Sequence, residues 1–214
     1  MPPRPYRRLL GLDGSDFDRI LALSDGGFAF ALTLLALSLT VPVIDTTGLT
    51  NRQVSSTLAH RLQEDYNAFF GYIFAFVMIG VWWVIHNRTF RYIEKYDSTR
   101  VWLNLLMLLQ IAILPFVMSV YSSYGSTTVA VDLFAGIQVS LGLTSVTLWD
   151  YSRHRRLRTK DLDPDIARYF RRRGWLPSAV FALSIGVSFV RVRWAPYRWI
   201  GVFVVQRFFA GYKS

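Results

Sequence analysis

Val101-Trp-Leu-Asn-Leu-Leu-Met-Leu-Leu-Gln-Ile-Ala-Ile-Leu-Pro-Phe-Val-Met-Ser-Val-Tyr-Ser-Ser-Tyr-Gly-Ser-Thr-Thr-Val-Ala-Val131 is a run of 31 residues without a charge, held between Arg100 and Asp132. An α-helix rises 1.5 Å per residue, so roughly 20 mostly apolar residues cross the hydrocarbon core of a bilayer. The run exceeds that length, and it has company. Residues 26–44 and 67–85 each give 19 uncharged residues, and 133–149 and 174–190 give 17 each. One such run suits the interior of a large soluble protein. Five in a chain of 214 residues do not, because too little chain remains to cover them. The chain is read as a polytopic all-α membrane protein.

Composition agrees. Apolar residues make up 52% and aromatics 16%, while charged residues fall to 18%, against roughly 25% in soluble domains. A disordered chain would be poor in aromatic and β-branched residues. Without cysteine, disulfides and thiolate metal sites are excluded. A sixth apolar segment, residues 194–212, carries Arg198 and Arg207 near its ends, where guanidinium stems can snorkel to the headgroups. The expected spans are therefore 20–44, 66–86, 101–122, 130–149, 174–192 and 194–212, forming one transmembrane domain over residues 1–214.

The formal net charge of +10 then becomes a statement about topology. With six spans, the amino-terminal arm, residues 86–100, residues 150–173 and the carboxyl tail share one side. Together they hold 19 of the 24 Lys and Arg residues; Arg52, Arg61, Arg191, Arg193 and Arg198 lie opposite. The positive-inside rule makes the richer side cytoplasmic, with both termini on it. The basic charge is thus no nucleic-acid footprint. Residues 1–18 lack the apolar core of a cleavable signal peptide, and no internal repeat occurs. Between spans, residues 50–65 are expected to form a short surface helix with Leu58 and Leu62 on one face. Residues 150–173 read as a solvated, Arg-rich amphipathic linker touching anionic headgroups.

The first span carries the most unusual residues: Arg19-Ile-Leu-Ala-Leu-Ser24-Asp25-Gly-Gly-Phe-Ala-Phe-Ala-Leu-Thr-Leu-Leu. Asp25 at the entry to a membrane helix can face water, cap the helix or join an interhelical network. Trp83 and His86 close the second span, and Asn104 stands one turn inside the third, all at the same expected depth. Since unsatisfied polar groups in hydrocarbon cost several kcal/mol, Arg19, Ser24, Asp25, His86 and Asn104 are expected to meet in a packing network rather than a catalytic one. Further along, Gly26, Phe30, Thr33, Leu37 and Thr40 recur at intervals of four, three, four and three. Such a face is either a helix–helix seam or the wall of a pore shared between subunits.

These residues resemble the potassium channels of the transmembrane protein 175 family, bacterial and endolysosomal. Ser24-Asp25-Gly26 following Arg19 is similar to the Arg-x-x-x-Phe-Ser-Asp signature. The likeness continues through Phe28-Ala-Phe-Ala-Leu-Thr33-Leu-Leu, Trp82-Trp83-x-x-His86, Leu103-Asn104-Leu-Leu and Ile113-Leu-Pro115-Phe116. It covers roughly residues 19–120. Two departures stand out: Leu23 replaces the signature Phe, and Phe30 stands where the family usually places Ile or Leu at the narrowest point of the pore.

The resemblance implies a six-helix subunit, a homotetramer in bacteria, with the first helix of each copy lining a central pore. By position, Phe30, Thr33 and Leu37 would line the constriction, with Leu34 and Val41 as further candidates, and the Arg19, Ser24, Asp25, His86 and Asn104 network would support its cytoplasmic base. The family lacks a carbonyl filter, and this chain has no Thr-Val-Gly-Tyr-Gly stretch. The expected function is passive potassium conduction in a bacterial plasma membrane, with K+ as permeant ion, membrane lipids as surroundings, and neither cofactor, resident metal nor nucleic acid. The excess of Arg over Lys, 21 to 3, fits a GC-rich bacterial source. The alternatives are a secondary transporter or a non-conducting scaffold. An enzyme is not expected: His60, His86 and His154 are far apart, and no HExxH, paired-acid or Ser-His-Asp grouping occurs.

Overall fold

The computed structural model describes residues 14–159 and 163–191; the expected sixth span at 194–212 lies outside them. Among the described residues the architecture is all-helical: α1 Gly14–Ala36, α2 Asn51–Glu64, α3 Tyr66–Phe90, α4 Ser98–Ala112, α5 Leu114–Tyr124, α6 Thr128–His154 and α7 Pro164–Arg191. Extended pairing among these residues is limited to one isolated antiparallel bridge, Ile93 with Arg158. Among the described residues, four stretches are long and apolar enough to cross a membrane: Phe17–Ala36, Ala68–Phe90, Ser98–Tyr124 and Thr128–His154. In α7 the apolar part is shorter, Pro177–Gly186.

Local chemistry sets the boundaries. Thr50 caps α2 through a capping box in which its hydroxyl accepts from the Gln53 amide. Asp97 Oδ1 caps α4 by accepting from the Arg100 amide at 2.9 Å, and Thr127 does the same for α6. Helix α1 stops at Ala36, short of the expected residue 44. The amides of Leu37, Ser38 and Leu39 bond three residues back, to Leu34, Leu35 and Ala36. That tightening ends the helix, and β-branched Thr40 and Val41 before Pro42 keep it from resuming. Leu37, Thr40 and Val41 therefore lie past the helix end, and the helical register expected for this face stops at Thr33.

The uncharged run 101–131 is not one rod either. Pro115 has no amide hydrogen to donate, and the run breaks at Ile113 into α4 and α5. The linker expected over 150–173 is mostly helix: α6 continues to His154 and α7 begins at Pro164.

The core runs through all the membrane-length helices. Phe28, Ala31 and Leu35 of α1 join Met78, Ile79 and Trp82 of α3, Met107 and Ile111 of α4, and Phe181 of α7. Phe134 of α6 sits at its centre, with ring centroids 5.7 Å from Phe74, 5.5 Å from Tyr121 and 5.9 Å from Phe181. In lipid such packing holds helices by dispersion and shape rather than by water exclusion. The outer faces stay apolar, with Phe69, Phe70, Ile73 and Phe76 of α3 exposed. Where α1 crosses α4 the backbone approach is close: a Cβ on Gly27 would meet Leu108 Cδ2 at 3.2 Å.

Candidate functional site

Helix α1 has two opposed faces. Ser24, Phe28, Ala31 and Leu35 are buried at intervals of four, three and four, which is the stripe a helix turns toward its own bundle. Gly26, Phe30 and Thr33 lie on the opposite side and are exposed, as is Leu37 in the turn that follows. Phe30 is 60% exposed, Leu37 78% and Val41 84%, while Leu34 is half-buried. Thr33 Oγ1 donates to the Phe30 carbonyl at 2.8 Å. Its proton is thereby committed to the helix, and the oxygen's two lone pairs are free to accept.

On the buried face, Ser24 anchors a chain of hydrogen bonds whose polarity is forced. Ser24 Oγ donates to the Ile20 carbonyl at 2.9 Å, so it can only accept from Asn104 Nδ2, also at 2.9 Å. That orientation turns Asn104 Oδ1 toward His86 Nε2 at 2.8 Å. The His86 proton therefore sits on Nε2. Three helices, α1, α3 and α4, are tied by two side-chain bonds. His86 stacks on Phe90 at 4.0 Å and lies 5.4 Å from Phe28, and its Nδ1 is buried without a hydrogen-bond partner. Asp25 takes a different partner: its Oδ1 accepts from Trp83 Nε1 at 2.9 Å on the outer side of α3. Arg19 is exposed, on an earlier turn of α1.

Several polar side chains that sequence reasoning passed over prove structural. Arg100, counted above as a loop charge, is wholly buried. Its guanidinium lies 5.0 Å from the Phe90 ring and 5.2 Å from Tyr96, and Nη1 donates to the Leu148 carbonyl at 3.1 Å. Two aromatic faces and a carbonyl dipole thus replace part of its water, while Nε and Nη2 lie buried without a hydrogen-bond partner. Trp82 Nε1 donates to Gln138 Oε1 at 2.7 Å, and Gln110 Nε2 donates to Ser140 and Thr144. A Gln inside an uncharged run was the available signal, since a buried amide in lipid needs a partner.

Below this level the loops interlock. The Glu94 and Lys95 amides both donate to the Leu157 carbonyl, and the Thr159 amide to that of Tyr92. Tyr151 Oη donates to Asp97 Oδ2 at 2.6 Å. Burial pushes the Tyr96 hydroxyl up to about 12, against the opposing pull of the Arg100 charge. Burial also lowers Arg158 to about 10; its guanidinium covers the Trp149 ring at 3.5 Å. No group of three or more potential metal ligands occurs among the described residues.

The family model described as endosomal/lysosomal potassium channel TMEM175 matches residues 19–115, the part that holds α1 from Arg19 onward together with Trp83, His86 and Asn104. A potassium channel of Streptomyces collinus is 32% identical over 177 residues, covering 80% of this chain and 82% of its own. One from Chamaesiphon minutus is 34% identical over 144 residues, 64% of this chain and 66% of its own. The human endosomal/lysosomal proton channel TMEM175 is 26% identical over 136 residues, and the match spans only 26% of that longer chain. In fold, the chain is similar to the crystal structure of a lysosomal potassium-selective channel TMEM175 homolog from Chamaesiphon minutus. The TM-score there is 0.73 at 24% identity, covering 92% of this chain and 97% of that one. The relatives are membrane channels and not enzymes, and this chain belongs to the TMEM175 potassium channel family.

Proposed function

We propose that the chain is one subunit of a homotetrameric, passive potassium channel in a bacterial plasma membrane, with α1 of each copy facing a shared axis. The observation that carries this reading is the exposed stripe of Gly26, Phe30 and Thr33, continued by Leu37, opposite the face that α1 buries in its own bundle. In the proposed subunit α7 and residues 194–212 are the fifth and sixth spans, and both termini are cytoplasmic.

In this arrangement Phe30 and Leu37 form apolar rings. A water column between such rings is unstable until they separate, so the constriction gates by dewetting. An ion passing it sheds part of its hydration shell, which potassium gives up more readily than sodium. Thr33 offers an oxygen there: with its proton held by the Phe30 carbonyl, a free lone pair can face a cation. Leu34 and Val41 flank the path. The Ser24–Asn104–His86 chain and the Asp25–Trp83 bond hold α1 against α3 and α4 at its cytoplasmic base. Neither a carbonyl filter nor a carboxylate ring is required.

Potassium flux in proteoliposomes tests the assignment. Phe30→Ala is expected to raise the flux, and Thr33→Val to lower the potassium-to-sodium ratio. If both variants match the parent, α1 does not line the path. Proton-driven accumulation would make the protein a transporter, and absence of any flux in the parent would make it a scaffold.

A further inference from the structure

We infer that the amino-terminal half of α7, with the end of α6, is a docking surface for the headgroup of an anionic phospholipid in the cytoplasmic leaflet. The inference rests on the topology proposed above. Arg168, Arg171, Arg172 and Trp175 recur at i, i+3, i+4 and i+7 and so share one face of α7. All four are exposed, Trp175 by 48%. From Arg168 to Trp175 the helix advances about 10 Å, enough to cross the roughly 5–8 Å headgroup layer of one leaflet. The apolar stretch Pro177–Gly186 begins just beyond. The order along the face is therefore guanidinium, guanidinium, indole, hydrocarbon, which is the order in which a leaflet presents phosphate, glycerol and acyl chain. A Trp at that depth is typical of the membrane interface.

The charge pattern suits an anion. Arg171 Nε lies 3.6 Å from Asp150 Oδ2 of α6, which brings the last turn of α6, with its exposed Arg153, beside the same face. Arg168 pairs with Asp165 one turn earlier. Both pairs are exposed and therefore weak, so a phosphate can compete for these guanidinium groups. Arg172 and Arg153 have no ion pair among the described residues. Guanidinium binds phosphate oxygens in bidentate fashion, which favours a phosphodiester over a diffuse counterion. The surface is also held on the correct side. The Ile93–Arg158 bridge and the Leu157 carbonyl hold residues 157–159 against residues 92–95, just past the end of α3, and the Arg171–Asp150 pair sets α7 beside the last turns of α6.

The test uses the full chain reconstituted in phosphatidylcholine nanodiscs with spin-labelled phosphatidylglycerol or spin-labelled phosphatidylcholine. Electron paramagnetic resonance then reads the motionally restricted fraction of each. The parent is expected to prefer phosphatidylglycerol, and Arg172→Gln to reduce that preference by about fivefold at low salt. Arg168→Gln with Arg171→Gln should reduce it further, while Arg88→Gln with Arg91→Gln, in the last turn of α3 and just past its end, should not. An undiminished preference in the α7 variants overturns the proposal, as does loss of the preference on adding inorganic phosphate, which would assign the surface to a free anion. Because the chain has no cysteine, Glu94→Cys and Arg52→Cys report topology separately, through an impermeant maleimide. Labelling of both from the same side would refute the topology, whatever the lipid result.

Discussion

Arg156 is the one non-glycine residue with positive φ, 54°, among the described residues. It sits at the end of α6, where the Leu157 amide bonds to the Ser152 carbonyl at 2.9 Å and the Arg156 amide to Arg153 at 3.1 Å. That pairing is a Schellman motif, whose left-handed position favours glycine because a Cβ there is crowded. Arg156→Gly is therefore expected to raise thermal stability by about 0.5–1 kcal/mol, read as a higher midpoint in detergent; a lower midpoint would mean the arginine side chain matters more than its backbone. Tyr96 gives a prediction about pH. Its hydroxyl is raised to about 12 by burial, whereas in the unfolded chain it ionises near 10. Between those values the unfolded state binds fewer protons, so stability falls as pH rises from about 10 toward 12. Tyr96→Phe should flatten that alkaline slope and keep an aromatic face beside Arg100. A slope unchanged in the variant would place its origin elsewhere.

At the scale of elements, the Ser24–Asn104–His86 link between α1, α3 and α4 turns on a single amide. Replacing Asn104 by Leu removes both the bond it donates to Ser24 and the bond it accepts from His86, and strands the His86 Nε2 proton in the core. Interhelical hydrogen bonds in membranes average about 0.6 kcal/mol, and an orphaned buried donor adds about 1–3. Asn104→Leu should thus cost on the order of 2 kcal/mol, and His86→Phe in the same chain should recover part of it. Additive costs in this double-mutant cycle would show the two residues uncoupled. The polar residues of this joint could be read from the sequence because they interrupt apolar runs at one depth. The choice of partner could not. Asp25 reaches Trp83 rather than the histidine, because it lies on the outer side of α1, and side-chain direction is set only when helices pack. Arg100 escaped for the opposite reason. A charge next to an apolar run reads as a loop residue until two rings and a carbonyl are seen around it. The end of α1 at Ala36 was similarly hidden, since hydropathy continues through residues 37–44 while backbone preference does not.

For the whole molecule, absence of charge was enough to read the class, because charge is what lipid excludes most strongly. Assembly is a different matter, since one subunit's exposed apolar surface fits lipid and a sister subunit equally well. Phe30 of α1 and Ile73 of α3 make the point: each is 60% exposed in the single chain. A pore wall and a lipid face differ in their geometry across a symmetric assembly. Around a closed axis, residues that face it meet their own copies, whereas those on the perimeter are held apart by the width of the subunits. Since the chain has no cysteine, a single substitution creates the only thiol. Phe30→Cys is expected to give covalent dimers with a short bifunctional maleimide in reconstituted membranes, and Ile73→Cys to stay monomeric on a denaturing gel. Equal yields at the two positions, or cross-linking confined to Ile73→Cys, would move the axis away from α1. The exposed stripe of α1 would then be a lipid-facing or peripheral seam, and the conducting path would have to lie elsewhere in the assembly.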